Sequence, residues 1–297
     1  MSLAVYQLIS TIADYGNMTK AAESLHITPS AASHAISILE RSLGFPLLHR
    51  NRNGVSLTRD GEFLLPQIRA VLAQEEYLQE YISQIQGMER GSVRIGVFSS
   101  ICQSWIPQIL HSFHMKYPPI KTYVFQGDYR EIERMLLDNT IDLGVLSLPT
   151  SNQLSTSTLT HDRLLCITPP DYEPPQKTYV TLQDMKAMTL IQPQRGYDCT
   201  TQSFLENAQL TPNPHFSIMQ DQAVISLVEN GIGCSVIPEL VLQTHTGNYN
   251  SYPIEGDPYR TIALATQQGK TQSLTTKKMM REIENCIESL SQSLPAL

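Results

Sequence analysis

Residues 18–44 read MTKAAESLHITPSAASHAISILERSLG, two short helical patterns separated by the break His26-Ile27-Thr28-Pro29. Thr19 is expected to cap the first helix, in which Ala22 and Leu25 share a face. Thr28 is expected to cap the second, because its hydroxyl can accept one of the N–H groups that a helix start leaves unpaired. Pro29 then takes the first helical position, where its missing N–H costs no hydrogen bond. Along the second helix Ala32, Ile36, Leu39 and Leu43 recur at i, i+4, i+7 and i+11, a single apolar stripe. Its other side carries Ser30, Ser33, His34, Ser37 and Arg41. Ala21, Ala22, Ala31 and Ala32 let the two helices approach closely. Short donors and acceptors on the outer face suit base edges and phosphates in a major groove. The same residues would also suit a three-helix cap whose serines face water, so both readings stand at this point.

On the N-terminal side, Val5, Leu8, Ile9 and Ile12 form another helical stripe, ended at Gly16-Asn17 by a residue that tolerates a left-handed turn. On the C-terminal side, FPLLHRNRNGVSLT (residues 45–58) places a glycine turn between short apolar runs. It reads as a β-hairpin wing whose His49, Arg50 and Arg52 reach backbone phosphates. From Thr58 to Gly87 the chain is helical in pattern, with Leu64, Val71, Leu78 and Ile85 every seven residues and Ile68 and Ile82 beside them. A seven-residue apolar repeat buries best against a partner helix. Glu75 interrupts the second row, Pro66 should bend the early turns, and an amphipathic helix packed on its own body is the other reading. Glu89-Arg90-Gly91-Ser92 is the natural hinge.

The totals bound what this chain can do. It has 297 residues, 41% of them hydrophobic, and a net charge of −7. Residues 1–62 balance Lys20, Arg41, Arg50, Arg52 and Arg59 against Asp14, Glu23, Glu40, Asp60 and Glu62, so the acidity belongs to the rest of the chain. A neutral head with clustered arginines can bind phosphate locally despite an acidic body. There is no apolar run of ~18 residues, so no membrane span is expected. Met1–Gln7 has no basic segment followed by an apolar run, so no secretion signal is expected either. Cys102, Cys166, Cys199, Cys234 and Cys286 are odd in number and far apart, without metal-ligand spacing. A cytoplasmic protein without metal or cofactor is the expectation. Nucleophile and metalloprotease signatures such as G-x-S-x-G and H-E-x-x-H are missing, and ENGIGCSVIP lacks the glycine spacing of a dinucleotide loop, so no enzyme is expected.

Beyond residue 92 strands and helices alternate. SVRIGVFSS, KTYVFQG and IDLGVL read as strands with helices between them, and DRLLCIT begins a second unit. MTLIQ, HFSIM, GCSVIP and TIALAT supply further strands. Helices fall near Thr200–Ala208 and Ala223–Asn230, and a last one spans about Ser273–Leu290. This order implies an α/β fold with a parallel sheet covered on both faces. Two subdomains are expected, I over 92–161 and 267–297, II over 162–266, resembling a periplasmic-type solute-binding body. Ligands of such sheets sit near strand C-termini, where helix N-termini offer free N–H groups. Ser99, Ser100, Asp128, Cys199, Thr200 and Thr201 are therefore the candidate contacts, with Arg195 as charge partner for a small anionic metabolite. The same groups serve plain helix capping, and Asp128 would repel an anion.

The stretch GNMTKAAESLHITPSAASHAISILERSLGFPLLHRNRNGVSLTRDG resembles the DNA-binding head of the LysR-type transcriptional regulators. The likeness is carried at Ala21, Ala22, Leu25, Ser33, Ile36, Leu39, Glu40, Leu43, Gly44, Leu47, Arg50, Leu57, Thr58 and Gly61. It implies an N-terminal winged helix-turn-helix (1–58), a linker and dimerisation helix (59–88) and a two-subdomain effector-binding body (92–297). It further implies double-stranded DNA and a small-molecule effector as partners, in a homodimer that often builds to a homotetramer. Thr19, Thr28, Pro29, Ser30, Ser33, His34, Ser37, Arg50 and Arg52 are the implied DNA contacts. The chain departs from the family's pattern at Pro29 and Ala35, where Gln is frequent, and at Leu48, where Phe is frequent. His34 is thus its distinctive candidate for base contact. Some relatives sense peroxide through two cysteines near Cys199, but here residue 208 is Ala and no resolving thiol is nearby, so an inert Cys199 is expected. The alternative is a small-molecule-binding module whose N-terminal helices serve only dimerisation, and DNA binding separates the two.

Overall fold

The structure is a computed structural model and describes residues 2–51, 54–86, 90–192, 198–216, 218 and 220–293. Arg52 and Arg195, both named above, lie outside the described residues, as does Glu89 of the expected hinge. The chain forms two compact units, one of residues 1–91 with Leu137–Ile141, the other of Ser92–Leu136 with Asp142–Leu297.

In the first unit α1 (Leu3–Tyr15) ends at Gly16, whose φ of 59° makes the left-handed turn and returns its N–H to Ile12 O. That turn leaves Asn17 extended, and Asn17 rather than Thr19 caps α2 (Met18–Ser24). Its Oδ1 accepts the N–H groups of Thr19 at 2.9 Å and Lys20 at 3.0 Å. Thr19 falls too late, already inside the helix, and a short Asn side chain caps as well as Thr. Thr28 does cap α3 (Pro29–Leu43), accepting from Ala31 N at 3.2 Å. Ala32, Ile36 and Leu39 of α3 are buried with Leu8, Ile9 and Ile12 of α1 and Ala21 and Ala22 of α2, while Leu43 is half-buried at the rim. Each large side chain buried here is worth about 1.5–3 kcal/mol.

The wing is the antiparallel pair β1 (Leu48–Asn51) and β2 (Gly54–Leu57), with Leu48 opposite Leu57. Glu40 of α3 accepts from Leu47 N at 2.8 Å and Leu48 N at 3.1 Å, which anchors the wing to α3. The long helix α4 (Arg59–Ile85) starts at Thr58, which caps Gly61 N at 3.0 Å. A Cβ on Gly61 would run into the Leu47 carbonyl, so this position needs glycine for close approach. Leu65 and Ile68 of α4 join the core of the head, whereas Val71, Leu78 and Ile85 of the heptad row are exposed.

The second unit contains, in chain order, β3 (Gly91–Val97), α5 (Ser99–Ser104), α6 (Ile106–Lys116), β4 (Ile120–Gln126), α7 (Tyr129–Leu137) and β5 (Leu143–Ser147). There follow β6 (Leu154–Thr168), α8 (Leu182–Ala187), α9 (Cys199–Asn207), α10 (Asp221–Glu229) and β7 (Ser235–Pro238). Then come α11 (Glu239–Leu242), β8 (Asn250–Pro253), β9 (Tyr259–Gln267) and α12 (Leu274–Ser293). The strand order is β4-β3-β5-β9-β6-β7, with β8 also on β6.

The expectation of a parallel sheet holds for β3 with β5 but not for the strands beyond them, β9, β6, β7 and β8. β9 returns late in the chain, slips between β5 and β6, and runs antiparallel to both. β6 is likewise antiparallel to β7 and β8. The expected subdomain limits at 161/162 and 266/267 fall inside β6 and β9, single continuous strands. MTLIQ contributes only an isolated bridge, Leu190 to Cys234, and HFSIM includes residues outside those described. One face of the β6–β7 ladder packs Cys166 and Val236 against Leu190 and Leu205, and the other packs Ile167 and Ile237 against Val224 and Ile225. Among the described residues no helix is long and apolar enough to cross a membrane.

Candidate nucleic-acid interface and effector cleft

The outward face of α3 is set by its buried stripe. With Ala32, Ile36 and Leu39 inward, Ser30 and His34 are exposed and Ser33 and Ser37 half-buried at the edge of that face. Arg50 of β1 reaches back so that its Nη1 donates to Ser33 Oγ at 2.9 Å. The wing and helix therefore present one joined surface, with a guanidinium held beside the serine row. Ser37 donates its hydroxyl to Ser33 O at 2.9 Å and keeps only acceptor capacity outward. At the helix entry Thr28 and Ser30 share a hydrogen bond between their hydroxyls at 3.1 Å, and Pro29 is exposed beside them. Thr19 is exposed on α2 and His49 on the wing.

In the second unit the centre is a residue that the sequence reading missed. Arg260 of β9 is 3% exposed. Its Nε donates to Asp162 Oδ2 at 2.7 Å, its Nη1 to the Tyr129 hydroxyl at 2.8 Å and its Nη2 to Ser100 Oγ at 2.9 Å. The guanidinium lies 4.9 Å from the centre of the Phe98 ring and 4.0 Å from Asp198 Oδ2. A buried charge is tolerable only when paired and hydrogen-bonded, and this one is both. Burial works against the cation, but Tyr129, Asp162 and Asp198 outweigh it and keep Arg260 charged. Burial pushes the Asp162 carboxyl up, with Arg260 and the Leu240 N–H opposing the rise. It raises the Tyr129 hydroxyl as well.

Around this guanidinium lies a cavity of about 300 Å³, lined among others by Ser99, Ser100, Asp128, Asp198, Asp221 and Arg260. The sequence-derived candidates distribute unevenly about it. Ser99 and Ser100 line it, although Ser99 Oγ accepts from Gln103 at 3.2 Å and Ser100 from Arg260. Asp128 lines it too, but caps α7, taking Glu131 N at 2.8 Å while Glu131 takes Asp128 N at 3.0 Å.

The start of α9 does not offer the free N–H groups expected of it. Asp198 Oδ1 already accepts from Thr200 N at 3.0 Å and Thr201 N at 3.1 Å, and Asp198 Oδ2 accepts the Thr201 hydroxyl at 2.7 Å. Thr200 shares a hydroxyl hydrogen bond with Ser147 at 2.8 Å, so it touches β5 rather than the cavity. Cys199 is half-buried and, like the other cysteines, not in a disulfide. Asp162, Asp198, Asp221, Tyr129 and Arg260 were unreadable beforehand because they come from five separate chain segments. The one available signal was an arginine inside an otherwise uncharged strand, YRTIALATQ.

Comparison with known proteins follows this division. Residues 3–62 match the bacterial regulatory helix-turn-helix protein, lysR family, and residues 86–286 match the LysR substrate binding domain. The uncharacterized helix-turn-helix-type transcriptional regulator YvbU of Bacillus subtilis is 29% identical over 280 residues, covering 93% of this chain and 96% of its own. A single-residue variant of full-length OxyR from Pseudomonas aeruginosa superposes with a TM-score of 0.77 at 20% identity, covering 97% of this chain and 95% of that one. Full-length CbnR in complex with its target DNA matches with a TM-score of 0.55 at 19% identity over 97% of this chain and 100% of that one.

Proposed function

This chain belongs to the LysR family of bacterial transcriptional regulators, and from that premise we propose how its own residues divide the work. Residues 1–58 form the DNA-binding head, 59–88 the linker and dimerisation helix, and 92–297 the effector-binding body. In the head, α3 enters the major groove of double-stranded DNA. Ser30, Ser33, His34 and Ser37 approach base edges or phosphates, and Thr19, Thr28 and Pro29 lie at the groove edge. Arg50 and Arg52 hold the backbone. The exposed heptad row of α4 pairs two chains, so that two heads meet two half-sites, as groove-binding dimers require. Dimers of this kind can pair again into a tetramer. The cleft around Arg260 holds a small-molecule effector, whose differential affinity for two arrangements of the body shifts the placement of the heads. Such a protein works where the chromosome is, in the cytoplasm, and has no catalytic step to perform.

The observation that carries the reading is the Arg50–Ser33 contact, which locks a cation of the wing to the polar face of α3. The test is fluorescence anisotropy of the full chain on DNA flanking its own gene across a salt series. Binding should weaken steeply with salt, with a slope shallower by about 1 in Arg50→Ala. His34→Ala should relax sequence preference. A folded dimer that ignores this DNA at low salt would leave a ligand-binding module whose N-terminal helices only dimerise.

A further inference from the structure

The cleft has the wrong charge for a site built around an anion. Its described walls bear the carboxylates of Asp128, Glu131, Asp198 and Asp221 against one guanidinium, that of Arg260. Arg260 is already engaged by Asp162, Tyr129 and Ser100. Asp128 and Glu131 satisfy each other's N–H groups, and Asp198 caps α9. Asp221 is different. It opens α10, it is half-buried, and no hydrogen-bond donor among the described residues reaches its carboxylate. Burial and then the like charge of Asp198 push its carboxyl up to about 6.

Asp198 and Asp221, with Pro238, also line a second, adjoining cavity of about 870 Å³ whose walls include Leu205, Leu210, Phe216 and Val236. The two cavities meet at this pair of carboxylates. In a partly desolvated cleft an ammonium placed there is attracted by both, while a carboxylate meets two like charges.

We propose that the effector carries a protonated amine seated between Asp198 and Asp221, with an apolar arm reaching into the larger cavity. The cavity marks the place and the carboxylates choose the chemistry; the proposal rests on reading this cleft as the effector site. An acidic group elsewhere on the same molecule is compatible with it, provided that the amine is what the pair recognises.

The test is isothermal titration of the full-length chain near neutral pH with three probes of one length: hexylamine, ε-aminocaproate and hexanoate. Both amines should bind, with hexanoate weaker by about tenfold or more, the difference that ~1.4 kcal/mol makes. Asp221→Asn, checked for folding by circular dichroism, should lose about as much affinity for the amines. Hexanoate binding as tightly as hexylamine, amine binding unchanged in Asp221→Asn, or silence toward all three probes overturns the proposal. Should Asp221→Asn fail to fold, the ranking of the three probes on the parent chain decides alone. Hexanoate binding in the cleft as tightly as the amines would sink the amine and keep the effector reading. A parent chain whose melting temperature moves with no member of a broad metabolite panel would sink the effector reading itself.

Discussion

Asp162 and Arg260 stand directly opposite each other in the β6–β9 ladder, and the guanidinium Nε closes on the carboxylate at 2.7 Å with both residues buried. The other oxygen of Asp162 accepts the N–H of Leu240, at the start of α11, at 3.0 Å. This buried pair thus fastens the two long strands that run through the body. Removing one partner of a buried pair leaves a desolvated charge, at a typical cost of about 3–5 kcal/mol. Asp162→Ala should lose that much unfolding free energy in urea, because an arginine cannot shed its proton. Arg260→Met should lose less, and less at pH 5 than at pH 8, since the orphaned Asp162 can take up a proton as burial already urges it to. Equal, pH-independent losses in the two variants would contradict this account.

Asp221 gives a second pH dependence. Its carboxyl is raised from 3.8 to about 6 in the folded chain. A group whose folded value lies above its unfolded one favours the fold while protonated. Its contribution is therefore complete below about pH 4 and is lost as pH rises through about 6. Asp221→Asn removes the group that loses stability. The variant should differ little from the parent near pH 4 and exceed it by about 2–3 kcal/mol near pH 7.5, since each tenfold change in proton affinity on folding is worth ~1.4 kcal/mol and the carboxyl rises from 3.8 to about 6. Thermal melts at the two pH values measure this, and a variant no more stable at the higher pH refutes it.

The head was legible because its determinants are local. The Ala32–Ile36–Leu39 stripe, the Thr28-Pro29 start and the glycine in the wing each act within a few residues, and each is where its spacing put it. The Thr19 cap failed by two residues because Asn17, equally able, came first along the chain. The body was legible as alternating strands and helices but not in its strand directions. Nothing local in TIALAT says that β9 returns between β5 and β6. The cleft failed for the same reason. Arg260, Asp162, Tyr129 and Ser100 lie far apart in sequence and meet only through that topology. Two of the three helix starts named as anion sites, those of α7 and α9, were occupied by Asp128 and Asp198, acids placed at the very caps that free N–H groups would need.

The exposed heptad row makes a prediction about assembly. Leu78 is 57% exposed and Ile85 87% exposed on a helix whose other face holds Leu65 and Ile68 inside the head. An aspartate at the centre of a paired apolar seam must be buried without a partner, at a cost of several kcal/mol. Leu78→Asp should shift the chain toward monomer in sedimentation velocity at micromolar concentration. Its melting temperature at high dilution should stay close to the parent's, because the head core is untouched. A variant that sediments as the parent does would place the chain-pairing surface elsewhere.

The Arg50–Ser33 hydrogen bond allows the two residues to be assigned by a cycle rather than by single losses. If Ser33 acts by orienting Arg50, Ser33→Ala should weaken DNA binding modestly, through the entropy of a long side chain no longer held. In an Arg50→Ala background the same substitution should then do nothing further, since its object is gone. If instead Ser33 makes its own contact with DNA, the two losses should add, as they do for independent sites. Arg50→Ala should cost affinity on every sequence alike, because a phosphate contact carries no base information. Arg50→Lys should restore the charge but not the coupling to Ser33, a point charge being a poor substitute for a planar fork. Anisotropy titrations of the parent, both single variants and the double variant at one fixed salt concentration give all four corners. Additive losses would remove the orienting role and make Ser33 a direct reader of the operator.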